Sequence, residues 1–310
     1  MRLVLSDKNL SGYAFPEDVV HKRITEKELS GYEGNGEVVA IAGPRSMAIK
    51  AAAMELPSLK LFQLTSAGFD YVPLKAYKEK GIAVANAGSV YSMPIAETVV
   101  FGILLMAKKI RKNPNNRRFK LTRGYAEITE LANKRVLIMG VGNIGTAVAE
   151  RLQGFSMTID GYDPFCPEKL QYCKLLRNRE ELLENIGQYD YIVSTMPDTE
   201  QTQRFINAEL FDKMKQTAVI VNVGRKAVFD QAEFYLALKK RKIGGAVLDM
   251  FEKFPNPITN KFRRLKNVVV LPGVAAISQE VNLRLKEHMY SNILALLEGN
   301  EIKSVINGVK

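Results

Sequence analysis

Val136-Leu137-Ile138-Met139-Gly140-Val141-Gly142-Asn143-Ile144-Gly145 decides how this 310-residue chain is read. A short apolar β-run ends in Gly140-x-Gly142-x-x-Gly145. An amphipathic segment follows at once, with Ile144, Val148, Leu152 and Phe155 at helical spacing. The next β-run, Thr158 to Tyr162, ends at Asp163. Glycine-rich turn, helix start, second strand and terminal carboxylate together make a dinucleotide-binding fingerprint. Gly140 permits the tight turn, Gly142 lets the backbone approach a pyrophosphate, and Gly145 lets helix and strand pack closely. The amides of Asn143 and Ile144 open the helix, where an anion is favoured. Asp163 is placed for the adenosine ribose. A carboxylate there repels a 2′-phosphate, and Pro164, Phe165 and Cys166 offer no cation, so the cofactor expected is NAD rather than NADP.

Outward from this stretch, short apolar strands alternate with helices. Before it, Arg2 to Ser6, Val38 to Ala42, Leu59 to Leu64 and Ile82 to Ala85 read as buried strands of a small parallel unit. Pro94 is expected to open a long helix from Ile95 to about Arg111, ended by the Asn-rich stretch Lys112 to Arg118. From Val136 onward six strands are expected: 136–139, 158–162, 191–194, 218–223, 245–249 and 268–271. They fit a doubly wound parallel sheet. A last helix, about Glu280 to Leu297, carries Val281, Leu285, Met289 and Ile293 on one face and is expected to cross back to the first domain. The fold class is therefore α/β with two Rossmann-like domains, a doubly wound NAD domain over 95–282 and a smaller flavodoxin-like substrate domain from 1–94 plus 283–310.

Composition narrows the class further. An apolar share of 46% and a charged share of 25% suit a soluble globular protein, and no apolar run is expected to span a membrane. The N-terminus lacks a signal-peptide core, and Cys166 and Cys173 make no disulfide framework, so a cytoplasmic setting is expected. Net charge is +11, with eight Lys or Arg between Lys108 and Arg123 and further clusters at Lys239 to Lys242 and Lys261 to Lys266. Without a stacking platform or nucleic-acid motif, these read as solvated surface that steers an anionic cofactor and substrate, not as a nucleic-acid surface. No metal site is expected.

The stretch from Ser194 to Glu252, STMPDTEQTQRFINAELFDKMKQTAVIVNVGRKAVFDQAEFYLALKKRKIGGAVLDMFE, resembles the D-isomer-specific 2-hydroxyacid dehydrogenases, the glycerate and phosphoglycerate dehydrogenase type included. Thr65-Ser66-Ala67-Gly68-Phe69-Asp70 resembles that family's substrate-carboxylate loop, Asn86-Ala87-Gly88 through Ile95-Ala96-Glu97 its hinge helix, and Val305-Ile306-Asn307 its C-terminal motif. The resemblance implies NAD-dependent interconversion of a 2-keto and a 2-hydroxy acid in a cleft between the domains, and a homodimer made through the NAD domains. It implies Arg225 as the active-site arginine, the Ala67 and Gly68 amides as carboxylate ligands, and Asp249 as the nicotinamide-carboxamide partner. Pro197, Thr202 and Val223 match its cofactor loops.

The pattern breaks at the general acid. The family's histidine falls at Gly273 in Leu271-Pro272-Gly273-Val274-Ala275, and its supporting glutamate falls at Phe254. Three readings follow: a dehydrogenase with another proton donor, a non-catalytic NAD-binding regulatory protein, or hydride transfer without protonation of oxygen. Donors open to the first are Lys226, Tyr91, Tyr71, Glu252 or water at Gly273; Tyr91 is also a candidate substrate contact. His288, on the last helix but away from its apolar stripe, reads as solvated, and His21 has no expected role.

Overall fold

A computed structural model describes residues 1–32, 37–112, 119–121, 128–166, 174–249 and 261–309. The described chain divides into two compact units, Met1–Tyr91 with Ser278–Lys310, and Ser92–Ile277.

The first unit is built on a five-stranded parallel sheet, β1 (Arg2–Ser6), β2 (Val19–Arg23), β3 (Val38–Gly43), β4 (Leu61–Leu64) and β5 (Ala83–Ala85), in the order β2-β1-β3-β4-β5. That is the flavodoxin-like order. β2 was not expected from its sequence, Val-Val-His-Lys-Arg. It is an edge strand with only Val19 buried, so it lacks the apolar run of an interior strand. The C-terminal helix, Gln279–Glu298, belongs to this unit and buries Val281, Leu285, Met289 and Ile293 against Val4, Ala40, Leu61 and Ala85.

The second unit carries seven parallel strands. β8 (Arg135–Met139), β9 (Thr158–Tyr162) and β10 (Lys174–Leu176) run outward on one side; β11 (Tyr191–Ser194), β12 (Val219–Asn222), β13 (Gly245–Leu248) and β14 (Val268–Val270) run on the other. The order is β10-β9-β8-β11-β12-β13-β14. The direction of winding reverses between β8 and β11. At such a switch point the strands' carboxyl ends open a crevice for ligands. β10 is a seventh strand that sequence reading missed, because Lys-Leu-Leu is too short to show a period. So was the antiparallel hairpin of β6 (Ile110–Lys112) and β7 (Phe119–Leu121).

Pro94 does not open the long helix. That helix runs Gly88–Ala107 with the proline in its second turn, so the residue lacks the N–H that would bond back one turn. The true start signal is Asn86, whose side chain accepts from the Gly88 amide at 3.2 Å. The same helix is, by length and composition, apolar enough to cross a membrane, contrary to expectation. Its buried face is occupied by protein: Ala96, Val99 and Ile103 are inside, and a β-carbon at Gly102 would meet Val247 at 3.0 Å.

Candidate active site

The described cofactor and active-site candidates of the second unit follow the carboxyl ends of strands in one parallel sheet. Gly140 follows β8, Asp163 follows β9, Pro197 and Thr202 follow β11, Val223 to Lys226 follow β12, Asp249 follows β13 and Gly273 follows β14.

Gly140 has φ +92°, a conformation costly for any residue with a β-carbon. Its amide donates to the Tyr162 carbonyl at 2.9 Å, and its carbonyl accepts from Thr195 Oγ1 at 2.6 Å. Thr195 thus pins the turn, a role its sequence context did not reveal. A β-carbon at Gly145 would collide with the Gly140 carbonyl oxygen, so glycine is required where helix crosses turn. The helix Asn143–Gln153 begins at Gly142 with no side-chain cap and no acid in its first turn. A β-carbon at Gly142 would point into open space. Uncapped amides at the positive end of an eleven-residue helix, beside a residue open to solvent, fit a pyrophosphate.

Asp163 is held from three sides. Its Oδ2 accepts from the Val141 amide at 2.9 Å, and its Oδ1 accepts from Phe165 and Cys166 amides at 2.9 and 3.1 Å. The carboxylate therefore locks the glycine turn to its own loop and retains lone pairs for a ribose hydroxyl. Sequence reading found no cation beside it; the fold supplies one. Arg177, just past β10, reaches back so that Nη1 donates to the Cys166 carbonyl and lies 3.5 Å from the Asp163 carbonyl. Fourteen residues separate Arg177 from Asp163, too far for a local motif to signal the pairing.

Thr202 Oγ1 donates to the Pro197 carbonyl at 2.7 Å and accepts from the Thr199 amide at 2.9 Å, fixing the loop after β11. That loop packs on the next: a β-carbon at Gly224 would lie 2.8 Å from the Met196 carbonyl oxygen. Val223 is buried, its amide bonded to Ser194, and Arg225 and Lys226 follow, both half-buried. Asp249, 3% exposed, accepts from the Val274 and Ala275 amides at 2.9 and 3.2 Å. It therefore anchors the loop that contains Gly273. Gly273 has φ +74°, and nothing lies within 4 Å of where its β-carbon would stand. Glu252 and Phe254 fall outside the described residues.

In the first unit, the loop after β4 presents its amides. The carbonyls of Thr65, Ser66, Ala67 and Gly68 are each taken: by Tyr91 Oη (2.6 Å), the Ala87 amide (3.1 Å), Asn86 Nδ2 (2.9 Å) and Ser66 Oγ (2.7 Å). Ala67 and Gly68 amides have no acceptor among the described residues. Consecutive amides left without an acceptor suit a carboxylate. Tyr91 thereby holds the loop through its hydroxyl, and burial followed by the Asp7 carboxylate keeps its phenol above the ordinary value. Tyr71, exposed and at φ +66°, follows in the same loop. His288 is not solvated: it is half-buried, and its Nε2–H donates to the Asn86 carbonyl at 2.9 Å. His21 Nε2 lies 2.7 Å from Ser6 Oγ, within β1–β2.

A doubly wound sheet with a glycine-rich turn at its switch point defines a dinucleotide-binding protein. Residues 100–275 match the NAD binding domain of D-isomer specific 2-hydroxyacid dehydrogenases. The chain is 30% identical to glyoxylate/hydroxypyruvate reductase A HPR2 of Arabidopsis thaliana, covering 89% of this chain and 88% of that protein. It is 31% identical to D-3-phosphoglycerate dehydrogenase of Methanocaldococcus jannaschii over 80% of this chain, and spans only 48% of that longer relative. The fold is shared with an NADPH-dependent glyoxylate/hydroxypyruvate reductase from Sinorhizobium meliloti solved with NADP and malonate: TM-score 0.75, 23% identity, 99% of this chain and 97% of that one. The chain belongs to the D-isomer specific 2-hydroxyacid dehydrogenase family.

Proposed function

We propose that this chain moves a hydride between a nicotinamide cofactor and C2 of a small 2-keto or 2-hydroxy acid, NAD(H) being preferred over NADP(H). The observation that carries the reading is the gathering of Gly140, Asp163, Thr202, Arg225 and Asp249 at the carboxyl ends of one parallel sheet. When bound, the nicotinamide cofactor supplies or accepts the hydride. The helix amides from Asn143 to Gly145 hold the pyrophosphate, Asp163 the ribose, and Asp249 orients the loop at Gly273 or the carboxamide. Arg225 holds the substrate carboxylate and polarises the ketone, as a planar guanidinium can. Ala67 and Gly68 supply carboxylate-binding amides.

The proton donor proposed is Lys226, which follows Arg225 directly in the loop after β12 and is half-buried there. Tyr91, whose hydroxyl is engaged by Thr65 and whose phenol is raised by burial, is a poorer donor. The reductase and dehydrogenase names of the relatives disfavour the regulatory alternative. As in the expectation from sequence, the partner proposed is a second copy joined through the second unit and its long helix, in the cytoplasm, with neither nucleic acid nor membrane involved.

Glyoxylate, hydroxypyruvate and larger 2-keto acids, each offered with NADH and with NADPH, test the reading by loss of cofactor absorbance. Turnover that is lost in Arg225→Ala and reduced in Lys226→Met supports it. No turnover with any pair, from protein that is folded, refutes the enzymatic reading.

A further inference from the structure

At the amino ends of the strands of the seven-stranded sheet, where β11, β12 and β14 begin, lies a cavity of about 540 Å³. Four cations line it: Lys109, Lys134, Arg241 and Lys266. They come from separate parts of the sequence, so the fold collects charge that the sequence spreads over more than 150 residues. Asp190 is the acid among the lining residues, and Lys215 Nζ already contacts it at 2.8 Å. The walls are mixed: Met106, Ile243 and Val269 are apolar, while Thr217 and Asn267 offer hydrogen bonds. The size is that of a small-ligand site, and the composition is that of an anion site with a carbon body.

A second observation singles out two of the cations. Lys109 and Arg241 have φ +53° and +59°. Each stands just beyond a helix end, after Gly88–Ala107 and after Gln231–Lys239, at the position where glycine is favoured. At both ends the chain keeps a long cation in a left-handed conformation that disfavours it, and both cations line the same cavity. Helix carboxyl ends attract cations, which accounts for a charge near each terminus. It does not account for placement at the one position that disfavours a side chain, nor for convergence of both on one cavity with Lys134 and Lys266.

We propose that this cavity binds a small multivalent anion, phosphate- or polycarboxylate-headed, at a site separate from the glycine-rich turn. The inference does not depend on the proposed reaction. Its test uses the full chain with NADH in excess, titrated calorimetrically with inorganic pyrophosphate and, in a separate arm, with citrate. The decisive variants are Lys109→Gly and Arg241→Gly, alone and combined. Glycine suits the left-handed backbone, so each removes a cation while leaving the fold intact or more stable by thermal melting. The expected result is saturable binding of at least one probe, weakened at least tenfold in the double variant. Pyrophosphate alone points to a phosphate head, citrate alone to a polycarboxylate. Absence of saturable binding to the wild type overturns the proposal. So does equal affinity in the double variant, or a double variant whose only change is loss of a dimer, which would mean that a second copy fills the cavity.

Discussion

In the proposed reaction the demand on a single residue falls most heavily on Arg225. A bidentate grip on a carboxylate needs the planar fork, which a lysine ammonium lacks. Arg225→Lys is therefore expected to damage kcat/KM nearly as much as Arg225→Ala, each by about a hundredfold or more. Steady-state kinetics on whichever 2-keto acid is turned over will decide; a loss of only a few-fold in Arg225→Ala would remove the residue from the site. The cofactor preference proposed above rests on single residues, two of them in opposition: a carboxylate at Asp163 repels a 2′-phosphate, and a guanidinium at Arg177, held against the same loop, attracts one. Asp163→Ala should shift the NADH-to-NADPH affinity ratio towards NADPH, and Arg177→Ala should shift it the other way. Fluorescence titration of both cofactors measures the ratio, and shifts in one direction would contradict the opposition. Placing a histidine at Gly273, where the resemblance implies one, is not a simple change. Space is open, but φ +74° makes any β-carbon unfavourable there, by about 1–2 kcal/mol. Gly273→His is expected to lower the melting temperature more than Gly273→Asn, since asparagine tolerates the left-handed region.

The helix Asn143–Gln153 concentrates the requirements of an element in its two glycine-flanked ends. At the N-terminal end Gly145 touches the Gly140 carbonyl, so Gly145→Ala must push backbone apart at a cost of about 2 kcal/mol or more and disturb the amides offered to the pyrophosphate. At the C-terminal end Gly154 has φ −61°, and an added β-carbon would sit 3.6 Å from the Arg151 carbonyl oxygen. Gly154→Ala is expected to be neutral or to stabilise by up to about 1 kcal/mol, by restricting the unfolded chain. Melting curves with and without NADH distinguish the two ends: only Gly145→Ala should lose both stability and the NADH-induced rise. The long helix Gly88–Ala107 was legible as an element but not in its start, which lies before Pro94, where the Asn86 side chain accepts from the Gly88 amide.

Stability of the whole molecule is coupled to pH through its two histidines, both in the first unit. Burial holds His288 and His21 below their ordinary value. Above the unfolded value of about 6.5 neither folded nor unfolded chain binds the proton, and stability is insensitive to these groups. As pH falls through that value the unfolded chain takes up protons that the folded chain refuses, so stability drops until the lowered folded values are reached. The melting temperature should therefore fall between pH 7.5 and 5.5, and His288→Gln should lessen the fall while His21 retains its share. An unchanged pH dependence in His288→Gln would remove that residue from the account.

The doubly wound sheet and the glycine-rich turn at its switch point were legible in the sequence. Each depends on local periodicity or on residues close together along the chain, where backbone geometry and hydrogen bonding act over one turn or one strand. β2 and β10 were not, because edge strands need no continuous apolar run. Arg177 beside the Asp163 loop, Thr195 on Gly140, and the meeting of Lys109, Lys134, Arg241 and Lys266 at one cavity were decided only by tertiary structure. Strand order in a parallel sheet is set by crossovers that bury helices on both faces. It brings together residues tens of positions apart whose individual contexts carry no mark of the neighbour they will have.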